Sequence, residues 1–304
     1  MIPNLGMAPE DNPGLRVMKN TIVVILAVLT FLCPAVQGQP GILANAGRDG
    51  LRATSLDQVL RLSDDEIDLG TAALIASEYW SHVVAGRRYL EQLDAMATEV
   101  RSRLMKQRIP FNQQAIPVLN DYLFREQGFA PIANAKDPND LFLHTVLDRK
   151  RGYCLSLSVL YLALAERVGL RVHGVVVPGH FFVRFDSGSR VRFNIETTDN
   201  GSSPPDEHYI TKFNMPQNYV NTIYLRNLTK RQTLGCFFNN LGSVYADVGN
   251  LNMALQALER AVLINPTLPE SRTNLAGVYM RQGRVQDALV QYQMAVQLNP
   301  NDPL

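Results

Sequence analysis

Three side chains in this sequence combine the right types with the right spacing for nucleophilic acyl chemistry: Cys154, His180 and Glu196. Cys154 opens the run CLSLSVLYLALAERV, just after Gly152, which permits a tight turn. The run is apolar on nearly every side, the pattern of a helix in the middle of a domain, and Gly169 closes it as a C-cap. In the first turn of such a helix, unpaired backbone N–H groups and the helix dipole favour an anion and so favour a thiolate nucleophile. A lone cysteine is otherwise most often a small buried hydrophobe, so the partners decide the matter.

Those partners come from the two strand patterns that follow. After the β-branched run at 172–177 and Pro178-Gly179-His180, the alternating segment FFVRF leads through a turn-like Asp186-Ser187-Gly188-Ser189 into a second alternating strand, RVRFNIE. A hairpin with its loop at Ser187 to Ser189 sets Asp186 opposite Arg190, Phe181 opposite Ile195, Val183 opposite Phe193 and Phe185 opposite Val191. That register makes one face wholly apolar and sets His180 directly across from Glu196, at the cost of a repulsive Arg184–Arg192 pair. A carboxylate beside an imidazole fixes its tautomer and stabilises the imidazolium, and a histidine so held can activate a thiol. Taken singly, His180 reads as a structural histidine and Glu196 as a solvated strand residue.

The elements that must position these groups are mostly helical. Amphipathic spacing runs from Ser63 to Leu104, a helix is expected over 117–124 and ended by Gly128 and Pro131, and Asp137-Pro138-Asn139-Asp140 turns the chain into 141–147. Trp80 reads as core. The other histidines, His82, His144, His173 and His208, have no partner pattern and read as structural or solvated, and the run 148–151 reads as a solvated approach to the helix.

The tail repeats itself at an offset of 34: Leu241 with Leu275, Tyr245 with Tyr279, Gly249 with Gly283, Ala254 with Ala288, and Pro266 with Pro300. This is the tetratricopeptide period, and the small residues Gly242, Ala276, Ala254 and Ala288 permit close helix approach while Leu258 and Tyr292 fill the space between helices. Two such units bury too little of their apolar faces to stand alone, so they must lean on the preceding domain, through the segment 219–234.

Composition narrows the class. The 29 basic and 28 acidic side chains nearly cancel, which argues against a nucleic-acid partner. Before the folded part, residues 21–33 (TIVVILAVLTFLC) form an apolar core of signal-peptide length behind Met18 and Lys19, with residues 1–17 upstream of the effective start. It is shorter than the roughly 20 residues a spanning helix needs, so a cleaved signal with its cut between Gly38 and Gln39 is expected, an uncleaved membrane anchor being the alternative. The protein is then periplasmic or extracellular, and Cys154 and Cys236 are left, bonded to each other or free. No metal-ligand spacing occurs, and neither metal nor cofactor is expected.

The segments LNDYLFREQGF, DPNDLFLHTVLDRKRGYCLSL, LYLALAERVGL, GVVVPGHFFVRF and IETTDNG, in this order, resemble the bacterial transglutaminase-like core proteins of the SirB type, several of which end in tetratricopeptide repeats. The resemblance runs from about Leu62 to the end and implies an α+β, papain/transglutaminase-like fold followed by all-α repeat helices. The expected organisation is a signal at 1–38, a linker at 39–61, the transglutaminase-like domain at 62–218, a connecting segment at 219–233 and two repeats at 234–304. By the same resemblance Cys154 is the nucleophile, His180 the base and Glu196 the acid where the family pattern has an Asp, with the Cys154 backbone N–H serving the oxyanion. Resemblance to other repeats of this kind places Asn239, Ser243, Asp247, Thr273 and Arg281 on the concave, partner-binding side. Three readings follow: a hydrolase of peptide or peptide-like amides, an amine-accepting cross-linker, and a non-catalytic scaffold that keeps the fold.

Overall fold

The computed structural model describes residues 53–81, 86–215 and 219–300, so the signal and anchor readings at the N-terminus, and His82, lie outside the described residues. Two short 3-10 and helical turns lead in, the first being α1 (Leu56–Val59). Residues 53–61, expected as linker, are packed here: Ala53, Leu56 and Val59 are buried, Ser55 caps α1, and Asp57 pairs with Arg260 at 3.1 Å. One helical turn carries too few residues for a periodicity to register, and only its partners reveal it.

The helical layer consists of α2 (Leu69–Ser81), α3 (Gly86–Lys106), α4 (Ile116–Asn120, continued by a π-turn at Asp121–Glu126) and α5 (Leu143–Arg149). At its centre lies α6 (Cys154–Val168), whose residues from Cys154 to Ala165 are all buried. The charges of its last turn are used: Arg167 pairs with Asp68 at 3.1 Å and Asp94 at 2.8 Å, and Glu166 accepts the Leu69 N–H at the open end of α2.

Against α6 packs a three-stranded antiparallel sheet, β3 (Val172–Val177), β4 (His180–Asp186) and β5 (Arg192–Ile195), with β4 in the middle. Pro178-Gly179 closes the β3–β4 turn with Gly179 at φ +68°, a conformation that favours glycine. The β4–β5 register differs from the expected one by two residues: Val183 pairs with Ile195, Arg184 with Asn194, Phe185 with Phe193 and Asp186 with Arg192. The loop is wider than three residues because Asp186 accepts the Gly188 N–H at 2.8 Å, while the Ser187 hydroxyl accepts those of Ser189 and Val191. A two-residue shift leaves every side chain on its expected face. It also removes the Arg184–Arg192 conflict, since the buried Arg184 donates to Asn194 at 2.7 Å, to the Leu225 carbonyl at 2.6 Å and to Asp206. The polar face is not solvated: α7 (Asp206–Lys212) covers it, with Tyr209 stacked on Phe182 at 4.0 Å between ring centroids.

Two helix pairs complete the chain: α8 (Lys230–Asp247) with α9 (Leu251–Ile264), and α10 (Pro269–Arg281) with α11 (Val285–Leu298). The first helix starts four residues before the expected boundary, where Thr229 and Gln232 form a capping box. The repeats do lean on the core. Trp80 meets Phe238 and Tyr245 at 6.1 and 6.0 Å, Phe237 meets Phe142 at 6.0 Å, and Lys230 bonds Glu166. The connecting segment adds backbone bonds to the edge of β3, Leu225 N–H to Val176 and Leu228 N–H to Gly174. A single apolar core therefore runs from Ala53 to Ala288. Tyr292 departs from its expected filling role and is 37% exposed, because α11 is the last helix described and no further described helix packs beyond it.

Candidate active site

Backbone geometry fixes Cys154 first. Lys150 ends α5 in a left-handed conformation, and β2 (Arg151–Gly152) then runs parallel to β1 (Ala130–Pro131), which pins the chain as it enters α6. No side chain caps α6 at Tyr153, so the first-turn N–H groups beside the thiol are not claimed by a cap. The thiol itself is buried.

His180 is the first residue of β4, paired with Val177 across the Pro-Gly turn. Its ring lies against Phe213 at 5.8 Å and near Tyr209 and Phe182, and Nε2 sits 2.8 Å from Glu196 Oε2. With Nε2 taken, Nδ1 is the nitrogen left for the thiol. In the observed register Glu196, just past β5, is a diagonal neighbour of His180 and not its direct partner. The buried carboxylate is held at both oxygens: Oε1 accepts from the N–H and hydroxyl of Thr198, and Oε2 accepts from the Tyr209 hydroxyl at 3.0 Å as well as from His180.

The electrostatics follow from this packing. Burial opposes a charge on His180, but hydrogen bonds to Cys154 and Glu196 and their negative charges outweigh it, raising the imidazole to about 9. Burial likewise opposes charge on Glu196, and the bonds to His180 and Thr198 overcome it, holding the carboxyl below its ordinary value. Tyr153 is pushed up to about 12, first by burial and then by the Cys154 thiol against which its hydroxyl lies. Tyr209 is raised by burial and by the neighbouring Glu196.

All of this adjoins a cavity of about 770 Å³ whose lining includes Cys154 and His180. Of the five residues expected on the concave side of the repeats, Asn239, Ser243, Asp247 and Thr273 line this same cavity. Arg281 does not; its guanidinium bonds the Ala246 carbonyl and ties α10 to α8. Cys236 also lines the cavity; both it and Cys154 are free thiols, and burial pushes the Cys236 thiol up to about 12. Among the described residues no group of three or more His, Cys, Asp or Glu could hold a metal.

Sequence reasoning missed Thr198, Tyr209 and Phe213. Thr198 had a legible signal, a hydroxyl two residues beyond a carboxylate, which is a local bonding pattern. Tyr209 and Phe213 share a face at i and i+4, but nothing local says that this face meets His180.

Residues 87–235 match the transglutaminase-like superfamily, and residues 245–304 match the tetratricopeptide repeat. A UPF0162 protein of Xylella fastidiosa is 26% identical over 219 residues, covering 67% of this chain and 73% of the relative. That of Pseudomonas aeruginosa is 24% identical over 178 residues, 58% of this chain and 64% of the relative. Mouse F-box only protein 21 is 31% identical over 84 residues, only 27% of this chain and 13% of that protein. Among solved structures, menin, whose crystal structure reveals the binding site for the Mixed Lineage Leukemia protein, superposes with a TM-score of 0.48 at 13% identity, over 81% of this chain and 70% of its own.

Proposed function

From the premise that the chain carries a transglutaminase-like domain followed by tetratricopeptide repeats, with homologues among the bacterial UPF0162 proteins, we propose that it is a cysteine acyl-transfer enzyme acting on peptide or peptide-like amides. The observation that carries this reading is the 2.8 Å bond from His180 Nε2 to a buried, doubly held Glu196, with Cys154 and His180 lining one cavity.

In the proposed reaction the Cys154 thiolate attacks the amide carbonyl, and the C=O pair moves onto an oxyanion beside the Cys154 N–H. As the C–N bond breaks, the His180 imidazolium gives its proton to the departing amine, leaving a thioester. Water or a second amine then attacks the thioester, the now neutral His180 takes its proton, and the C–S bond breaks to release product and thiolate. Glu196 keeps the ring oriented throughout and stabilises it in the steps where it is protonated. Export on the apolar segment at 21–33 belongs to the same proposal. The competing reading, a non-catalytic scaffold, draws on the burial of Cys154.

Alkylation by iodoacetamide, followed by mass mapping of the modified cysteine, decides between them. At pH 7 the wild-type protein is expected to react at Cys154 about a hundredfold faster than a His180→Ala variant. Equal rates would leave the scaffold as the better description.

A further inference from the structure

The cavity beside Cys154 belongs to two parts of the fold at once. The core supplies Tyr153, Cys154 and His180, and the facing wall is built by the repeats. Along α8 the cavity is lined by Asn240, Ser243 and Asp247, spaced by three and four residues, so one stripe of that helix faces it for two turns. Along α10 it is lined by Glu270, Thr273 and Asn274, a second stripe.

The chemistry of this wall is that of the peptide bond. Asn274 Nδ2 donates to the Oδ1 of the buried Asn239 at 3.0 Å, and Asn239 Nδ2 donates to Asn240 Oδ1 at 3.4 Å. This relay leaves an acceptor, Asn274 Oδ1, and a donor, Asn240 Nδ2, with no partner among the described residues. The hydroxyls of Ser243 and Thr273 add groups that both donate and accept. Such a set matches the alternating N–H and C=O of an extended chain. The charges are of mixed sign, Asp247 and Glu270 against Lys136, which suits neither a polyphosphate nor a nucleic acid. The volume, about 770 Å³, is well above what one small amide fills. The wall is also fixed relative to the thiol, since Trp80 and Phe142 hold α8 against the core.

We propose that the repeats are the substrate-binding wall of the acyl-transfer site: an extended polypeptide lies along α8 and α10, is held through its backbone by Asn240, Ser243, Thr273 and Asn274, and presents its amide to Cys154. This rests on Cys154 being the nucleophile. The repeats then set specificity in the same cleft where bonds are made and broken, and do not form a separate docking module.

The test compares two alkylating reagents on the full chain, iodoacetamide and acetyl-Ala-Gly-Ala chloromethyl ketone, by intact mass against time. Both form a thioether with Cys154 and release halide, but only the second carries a peptide backbone. Asn274→Ala is expected to slow the peptide reagent about tenfold, the weight of one good hydrogen bond, and to leave the iodoacetamide rate within about twofold. Ser243→Trp, at a half-buried position with room on the cavity side, fills the groove and is expected to do the same, which keeps the test decisive if Asn274→Ala fails to fold. A peptide reagent that ignores both substitutions, or two reagents that slow in parallel, overturns the proposal while leaving the nucleophile intact. An iodoacetamide rate indifferent to His180→Ala overturns the nucleophile reading, and this one with it.

Discussion

Glu196 reaches His180 across a strand register that gives the length of its side chain a specific use. Side chains on diagonal positions of an antiparallel pair lie roughly 7–8 Å apart at their bases, against about 5 Å for those directly opposed. Glu196 is diagonal to His180, and the extra methylene spans the difference to make the 2.8 Å contact. Glu196→Asp should therefore break it. The His180 imidazole stands at about 9 because, against the burial that opposes its charge, the hydrogen bonds to Cys154 and Glu196 and the Glu196 charge prevail, so withdrawing the carboxylate moves its titration down toward the ordinary histidine range. Below its ordinary value the ring is protonated in both proteins; between there and about 9 only the wild type keeps the imidazolium. Titrating the histidine ring protons by NMR checks this, and an unchanged midpoint would mean that Glu196 does not set the charge of His180.

Helix contacts impose equally specific demands. Within the first repeat a Cβ placed on Gly242 would come 2.5 Å from Leu258 Cγ and 3.1 Å from the Ala254 carbonyl, so α8 and α9 can cross this closely only with glycine there. Gly242→Ala forces them apart, and the expected loss is about 1–3 kcal/mol, the usual cost of overpacking a well-filled core. A urea midpoint that does not move would show that the helices slide apart without cost. In the sheet, Arg184 illustrates the reverse case: a buried guanidinium is tolerated because Asn194, Asp206 and the Leu225 carbonyl all accept from it.

At the level of the whole molecule, the catalytic candidate and the repeats share one core. Trp80, the single tryptophan, lies at their junction against Phe238 and Tyr245. Its fluorescence reports undocking of the repeats, whereas far-UV circular dichroism reports loss of helix everywhere. The two signals are expected to change together in one denaturant transition, since separating the parts would expose Trp80, Phe142 and Phe237 to water at about 25 cal/mol per Å² of apolar surface. A fluorescence change that precedes the loss of helix would show that the repeats undock as an independent unit.

Local patterns determined a great deal of this protein. The apolar run after Cys154 specified a central helix because almost any face of it must be buried, and the 34-residue offset specified two helix pairs because the small and large residues recur at fixed intervals. Alternation along the strands placed His180 and Glu196 on one face, and that survived a register error because two-residue slips preserve facing. Tertiary structure alone decided the rest. The true register depends on Asp186 and Ser187 bonding the loop backbone, the covering of the polar face depends on Tyr209 and Phe213 arriving from α7, and the folding of 53–61 depends on partners far along the chain. That the repeat helices close the cleft over Cys154 depends on how two separately encoded units dock, and such long-range placement leaves no periodicity in either of them.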